Sequence, residues 1–220
     1  MTDADSKRLS DLGSFMPEAV LRLLGSPSSS ALDPGDKAAS LLFVDISALH
    51  GAADTIPPAS LAGSISEQVN LIEKAATCRQ GATISSSEAS VLSLWNAPVP
   101  CPRHQAAACA AAVDAAAALG PMAEGCRFGV ASGIVFAGLM RFGSIRRYGV
   151  LGKTVIQCKQ IAGANRFFRT RILASVDAYA PAREEVSGRP LGAVRLVGQT
   201  ESVELVELVC RPESLSPSWK

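Results

Sequence analysis

Few residues in this chain have the type and spacing to do chemistry. Asp45 is the acidic residue that ends the apolar run Leu41–Val44. Gly152-Lys153-Thr154 is the tail of a phosphate-binding loop of the G-x-x-x-x-G-K-[ST] type, whose backbone N–H groups wrap phosphates. The first glycine of that pattern would fall at Arg147, and a long cationic side chain cannot supply the tight turn that glycine allows. The better reading is a helix N-terminus with a lysine in its first turn. His50 is isolated and reads as a surface residue, and His104 begins a helix with no partner at metal-ligand spacing. The six cysteines (Cys78, Cys101, Cys109, Cys126, Cys158, Cys210) include no CxxC pair. They read as free thiols in a reducing compartment, rather than a disulfide framework or a zinc site.

The elements that must position these residues follow from apolar periodicity. The segment before residue 38 holds a short amphipathic helix, Phe15–Leu24, with Pro17 suited to its first turn. It also holds Ser/Pro/Gly-rich linker chemistry at Ser26–Asp36. The core begins at Ala38 with a strand through Leu41–Val44, buried on both faces. A helix over Leu61–Arg79 carries the stripe Leu61, Ile65, Val69, Ile72 and Ala76, and Gly81 stops it. Ala82–Ser86 and Val91–Trp95 form a hairpin around Ser85–Glu88, and three prolines in Asn96–Pro102 end the unit. His104–Leu119 is an alanine-dominated helix for close packing against a sheet. The stretch from Arg127 reads as two short strands joined through Gly133, with Phe128, Val130, Ile134, Phe136 and Leu139 apolar. After the break at Gly143–Arg147, Tyr148–Leu151 resumes the strand. Thr154 then caps a helix with Val155, Ile156 and Ile161 at helical spacing. A strand at Arg171–Ala174, a helical turn at Val176–Ala180, and a hairpin of Val194–Val197 with Val203–Val209 close the core.

Composition bounds the class. With 48% hydrophobic and 19% charged residues, the chain is globular rather than disordered. A formal net charge of +1 gives no footprint for nucleic acid or an anionic membrane. No apolar run approaches the roughly 20 residues of a membrane span, and the polar start MTDADSKRLSDLG is unlike a presequence. The expectation is a soluble intracellular protein.

In that order of elements, five strings resemble class III nucleotide cyclase homology domains, the adenylyl and guanylyl cyclases. LLFVDIS resembles the family's first strand with its metal-binding aspartate. VLSLWNAP resembles D-G-x-x-A-x-F-G-A-P, and RFGVASGIVFAGLM resembles R-x-G-I-x-x-G-x-V-x-x-G. RRYGVLGKTV resembles Y-x-V-x-G-D-x-V, and LGAVRLVGQTESVELVEL resembles the closing hairpin. FMPEAVLRLLGSP resembles the lead-in of soluble, bicarbonate-responsive adenylyl cyclases. The similarity covers roughly residues 15–209.

The resemblance implies a set of groups: two aspartates for two metals, an asparagine for the ribose, an arginine for the transition state, and a lysine with an acidic partner for the base. Asp45 matches the first aspartate. The second falls at Ala89, the base-reading lysine at Ser85 and its acidic partner at Lys153, a reversal of sign. The asparagine falls at Ile156 and the arginine at Gln160. The loop Asp45-Ile46-Ser47-Ala48-Leu49-His50 departs too, with alanine and histidine where the family has glycine and threonine. Where the family divides its work between two domains, this chain matches neither half. A lone carboxylate holds Mg²⁺ poorly, so Asp45 is read as a vestigial metal ligand that caps its turn.

The resulting expectations are an α+β fold with a ferredoxin-like βαββαβ core and helices packed on a mixed sheet. Residues 1–37 form an arm, 38–210 the cyclase homology domain and 211–220 a polar tail. The chain is expected to be a pseudo-cyclase and not an enzyme, without cofactor. It would serve as a structural or interaction subunit, or alternatively as the regulatory half of a cyclase heterodimer that binds nucleotide without turnover. Its partner would be another cyclase-like domain or a multi-protein assembly, cytoplasmic and axonemal or cytoskeletal by family analogy.

Overall fold

A computed structural model describes Gly13, residues 15–52 and residues 55–210, the side chains of Leu49, His50 and Ala52 excepted. The readings made for residues 1–12, for the tail 211–220 and for the His50 side chain lie outside the described residues.

The central strand β1 spans Gly35–Asp45, beginning ahead of the expected Ala38. Its apolar run serves two cores at once, because alternate side chains point to opposite faces. Leu42 and Val44 enter one core, and Leu41 the other. The helix α2 (Pro58–Cys78) leads to β2 (Ala82–Ser86) and β3 (Ser90–Trp95). Then α3 (His104–Leu119) leads to β4 (Arg127–Phe142). These four strands lie in the order β2-β3-β1-β4, with β1 antiparallel to both β3 and β4, which is the ferredoxin-like arrangement. The strand β5 (Ile145–Leu151) folds back on β4, and α4 (Lys153–Phe168) crosses to β6 (Ile172–Ser175), which runs parallel to β4. A short helix α5 (Val176–Tyr179) precedes the closing hairpin of β7 (Ser187–Arg195) and β8 (Ser202–Cys210). Among the described residues the sheet has eight strands and is mixed.

One core lies under α2 and α3, where Leu42, Val44, Phe128 and Val130 meet Ile72, Ala76 and the alanines of α3. A helix apolar on every side has to be buried, and α3 is: from Ala106 to Leu119 most of its residues are inaccessible. His104–Ala123 is a run of 20 residues apolar enough to cross a membrane, which corrects the expectation that no such run exists. Of its most apolar window, 56% is buried inside the fold, as a core helix requires.

The other core lies under α4, where Leu41, Ala131 and Val135 meet Val155, Cys158 and Ile161. It also takes in Val20 and Leu32. Val20 lies on the N-terminal helix α1 (Glu18–Leu23), shorter than the expected Phe15–Leu24 and with Pro17 at its N-cap. Leu32 lies in a 3-10 turn, Ser29–Leu32, so the stretch that read as linker contributes a buried side chain.

Two local expectations are corrected together. The strand β4 runs unbroken through Gly133, where a Cβ would stand 2.7 Å from the Thr154 hydroxyl. That hydroxyl donates to the Ile134 carbonyl at 2.9 Å, so Thr154 ties α4 to β4 and the N-cap is Gly152 instead. The glycine is a port for a helix, not a joint between strands.

Candidate functional site

The positions named from sequence fall into two groups. The first gathers at the end of β1. Asp45 pairs in register with Ser90 on one side and Arg127 on the other, and the next amide, Ile46 N–H, donates to Ala89 O at 2.8 Å. Asp45 and Ala89 are therefore neighbours across the sheet. The Asp45 carboxylate accepts from Ser47 N–H at 2.9 Å, which closes a turn of the kind short acidic side chains favour. Its second oxygen lies 3.5 Å from the Arg127 guanidinium, with both side chains about three-quarters buried. The Cys126 thiol beside them is pushed up to about 11, first by burial and then by the Asp45 charge, while Arg171 and Arg127 pull it back. Ser85, in β2, is exposed and sits opposite Leu92.

The second group lies at the start of α4. Lys153, its first residue, bonds Glu201 of the β7–β8 turn at 2.5 Å. That hydrogen bond, and then the ammonium charge, hold the Glu201 carboxyl below its usual range. Gln160 donates to Val197 O at 2.5 Å and accepts from Gln199 Nε2 at 2.7 Å. Ile156, at the asparagine position of the motif, stands 58% exposed between them. Helical spacing sets which residues share a face but not which face meets the sheet. Together with Gly152, Gly198 and Thr200 these residues wall a hollow of about 480 Å³.

The two groups do not meet. Asp45 is level with Arg127, and the start of α4 is tied to Ile134. At a rise of about 3.3 Å per strand residue, the ends of that interval are roughly 23 Å apart. That distance keeps the two groups out of side-chain reach of one another within this domain.

The divalent metals that the fold family implies do not fit the donors here. The Asp45 carboxylate is already engaged by Arg127, and the residue beside it across the sheet is alanine. Among the described residues, no group of three or more His, Cys, Asp or Glu side chains could hold a metal ion.

Sequence reasoning missed three features. Arg127, as the partner of Asp45, was legible only once the register of β1 against β4 was known. An apolar surface was also missed: Phe136 and Leu151 are cross-strand partners, and with Ile134 they lie exposed on one face of the sheet. Ile156 and Phe167, three helical turns apart, form an outward stripe on α4 and are 58% and 77% exposed.

This geometry has counterparts. No protein-family model matches the chain. It is 28% identical over 178 residues to adenylate cyclase 1 of Rhizobium meliloti (strain 1021). The match takes in 76% of this chain but spans only 27% of that relative's length. Among solved structures it is similar to the adenylyl cyclase CyaB from P. aeruginosa, with a TM-score of 0.73, 15% identity, and coverage of 84% of this chain and 100% of that one. It is also similar to the guanylyl cyclase Cya2, with a TM-score of 0.71, 18% identity, and coverage of 83% and 98%. A bacterial light-regulated adenylyl cyclase gives 0.79 at 15% identity, covering 93% of this chain and 62% of that one. The chain has the fold of a class III nucleotide cyclase homology domain.

These relatives overturn the expectation that the chain is not an enzyme, since those named are adenylyl or guanylyl cyclases. The replaced motif positions describe which groups stand there; they do not amount to an absence of turnover. None of the relatives named here is described as a ciliary or cytoskeletal protein.

Proposed function

We propose that the chain works as one member of a cyclase domain pair. It presents its bare sheet face and the outer face of α4 to a second cyclase-like domain and so sets the geometry of nucleotide cyclisation in the pair. The observation that carries this reading is the separation of its two motif ends along β4, which a single chain cannot bridge. The uncovered side chains of Ile134, Phe136 and Leu151 on the sheet support it, as do Ile156 and Phe167 on α4, because exposed apolar patches on a monomer mark interaction surfaces. The second domain would lie in another chain or elsewhere in a longer polypeptide.

The test is affinity purification of the native protein at low salt, mass spectrometry of what accompanies it, and an assay of the eluate for cyclic nucleotide. A cyclase domain should be recovered, and Ile134→Asp with Phe136→Asp should release it and change the eluate's activity. Recovery of the chain alone, or pairing untouched by those changes, refutes the reading. A second reading, that this half also admits a nucleotide, is favoured by the hollow at the start of α4. A thermal-shift series with ATP, GTP and cyclic nucleotides plus Mn²⁺ addresses it, and no shift at millimolar ligand removes it.

A further inference from the structure

The opposite end of α4 carries three arginines that no motif position explains, beside Arg127, the arginine of the R-x-G-I segment. Four arginines from three elements wall one hollow of about 330 Å³: Arg127 at the start of β4, Arg166 in the last turn of α4, Arg169 at its C-cap and Arg171 leading into β6. The Phe128 amide donates to Arg171 O at 2.9 Å, which holds Arg127 and Arg171 on adjacent strands. Arg127 has Asp45 as its partner. Among the described residues, no carboxylate forms an ion pair with Arg166, Arg169 or Arg171, all of them exposed.

Like charges gathered in this way repel, and a guanidinium cannot relieve the repulsion by losing its proton. The helix dipole explains one cation in the last turn of α4, but its influence fades within that turn and does not reach Arg171 on the next strand. Arg169 stands at φ 54, a left-handed position where glycine is the usual C-terminal residue and a side chain is strained. Spending that position on an arginine places a third guanidinium at the rim.

We propose that this hollow is an anion site for linked phosphates, with Arg166, Arg169 and Arg171 as its ligands and Arg127 shared with Asp45. The guanidinium fork matches phosphate oxygens two at a time, and several forks around one small concavity call for a compact ligand bearing several charges. A phosphate chain meets that demand, whether it is free or the tail of a nucleotide. The site needs no metal and no second domain, so it stands or falls separately from the pairing proposed above.

The test is calorimetric titration of the full chain in EDTA at low salt, with inorganic tripolyphosphate and with ATP. Tripolyphosphate is expected to bind without metal, and the combined variant Arg166→Gln, Arg169→Gly, Arg171→Gln to weaken it by about tenfold or more. All three side chains are exposed and glycine suits the Arg169 backbone, so the variant's melting temperature should match the parent's. Asp45→Asn frees Arg127 and should tighten binding several-fold, while Lys74→Gln on α2 should change nothing. ATP bound with the same losses identifies a nucleotide tail as the source; tripolyphosphate bound and ATP refused identifies free oligophosphate. No binding at millimolar tripolyphosphate, binding that survives the triple variant, equal loss with Lys74→Gln, or preference for polyglutamate over phosphate would overturn the assignment.

Discussion

The packing of α4 onto β4 admits a severe test at Gly129. A Cβ there would lie 2.3 Å from Cys158 O, 2.5 Å from Ala162 N and 3.0 Å from Ala162 Cα, all backbone atoms that cannot rotate away. Gly129→Ala therefore forces the helix back by about 1 Å to restore ordinary contact, and a gap of that size forfeits up to half of each contact's attraction. Val155, Cys158, Ile161 and Ala162 are the buried side chains affected. Full burial of a Val or Ile contributes about 1.5–3 kcal/mol, so losing a fraction at each costs on the order of 2 kcal/mol. The Asn165 amide bond to Phe128 O, 2.9 Å long and buried, is stretched by the same movement and adds about 1 kcal/mol. A total near 3 kcal/mol lowers the Tm of a domain this size by roughly 6–12 °C. The assay is thermal unfolding by circular dichroism, with Gly163→Ala as the control. That glycine sits on the same helix, and a Cβ added there would meet no atom within 4 Å, so alanine should stabilise by about 0.5–1 kcal/mol. A Gly129→Ala protein melting within about 2 °C of the parent would show that α4 does not seat on β4 through this contact.

Two further outcomes are expected. Burial lowers the pKa of His104 from its ordinary 6.5, so the folded state prefers the neutral ring, which bonds the Ser40 hydroxyl at 2.8 Å. Stability is then whole above pH 6.5 and declines as pH falls below it towards the depressed folded value. Urea midpoints measured between pH 7.5 and about 5 should show that decline, and His104→Gln should flatten it; an unchanged slope in the variant counts against the assignment. Burial also pushes the Cys109 and Cys158 thiols up to about 12, whereas Cys78 is exposed. Iodoacetamide at pH about 8 should label Cys78 in the native protein and reach Cys109 and Cys158 only after unfolding. Comparable labelling of Cys158 and Cys78, read by peptide mass spectrometry, would contradict the buried placement.

The sequence made the order of elements legible because their patterns are local. The helix His104–Leu119 lies where its alanine run placed it, and the β2–β3 hairpin closes around the serines that marked its turn. What escaped reading depends on contacts across the fold. Gly133 looked like a break because sequence cannot show the Thr154 side chain that occupies its place. The strand β7 begins at Ser187, ahead of its apolar stretch, because pairing with β8 rather than side-chain pattern sets its length. Of the motif positions, Asp45 and Ala89 meet as neighbours, yet Arg127 gained meaning only from the register of β1 against β4.

The unbroken length of β4 gives the molecule a direction. One end of the strand carries a carboxylate and a cluster of arginines, and the other an exposed isoleucine beside a lysine–glutamate pair. A partner lying head to tail would meet this chain at two unlike junctions, even if its own fold were identical. A change at Asp45 would be felt at one junction and a change at Ile156 at the other. Such an assembly has a handedness of labour that neither chain possesses alone, and single substitutions can tell its two seams apart.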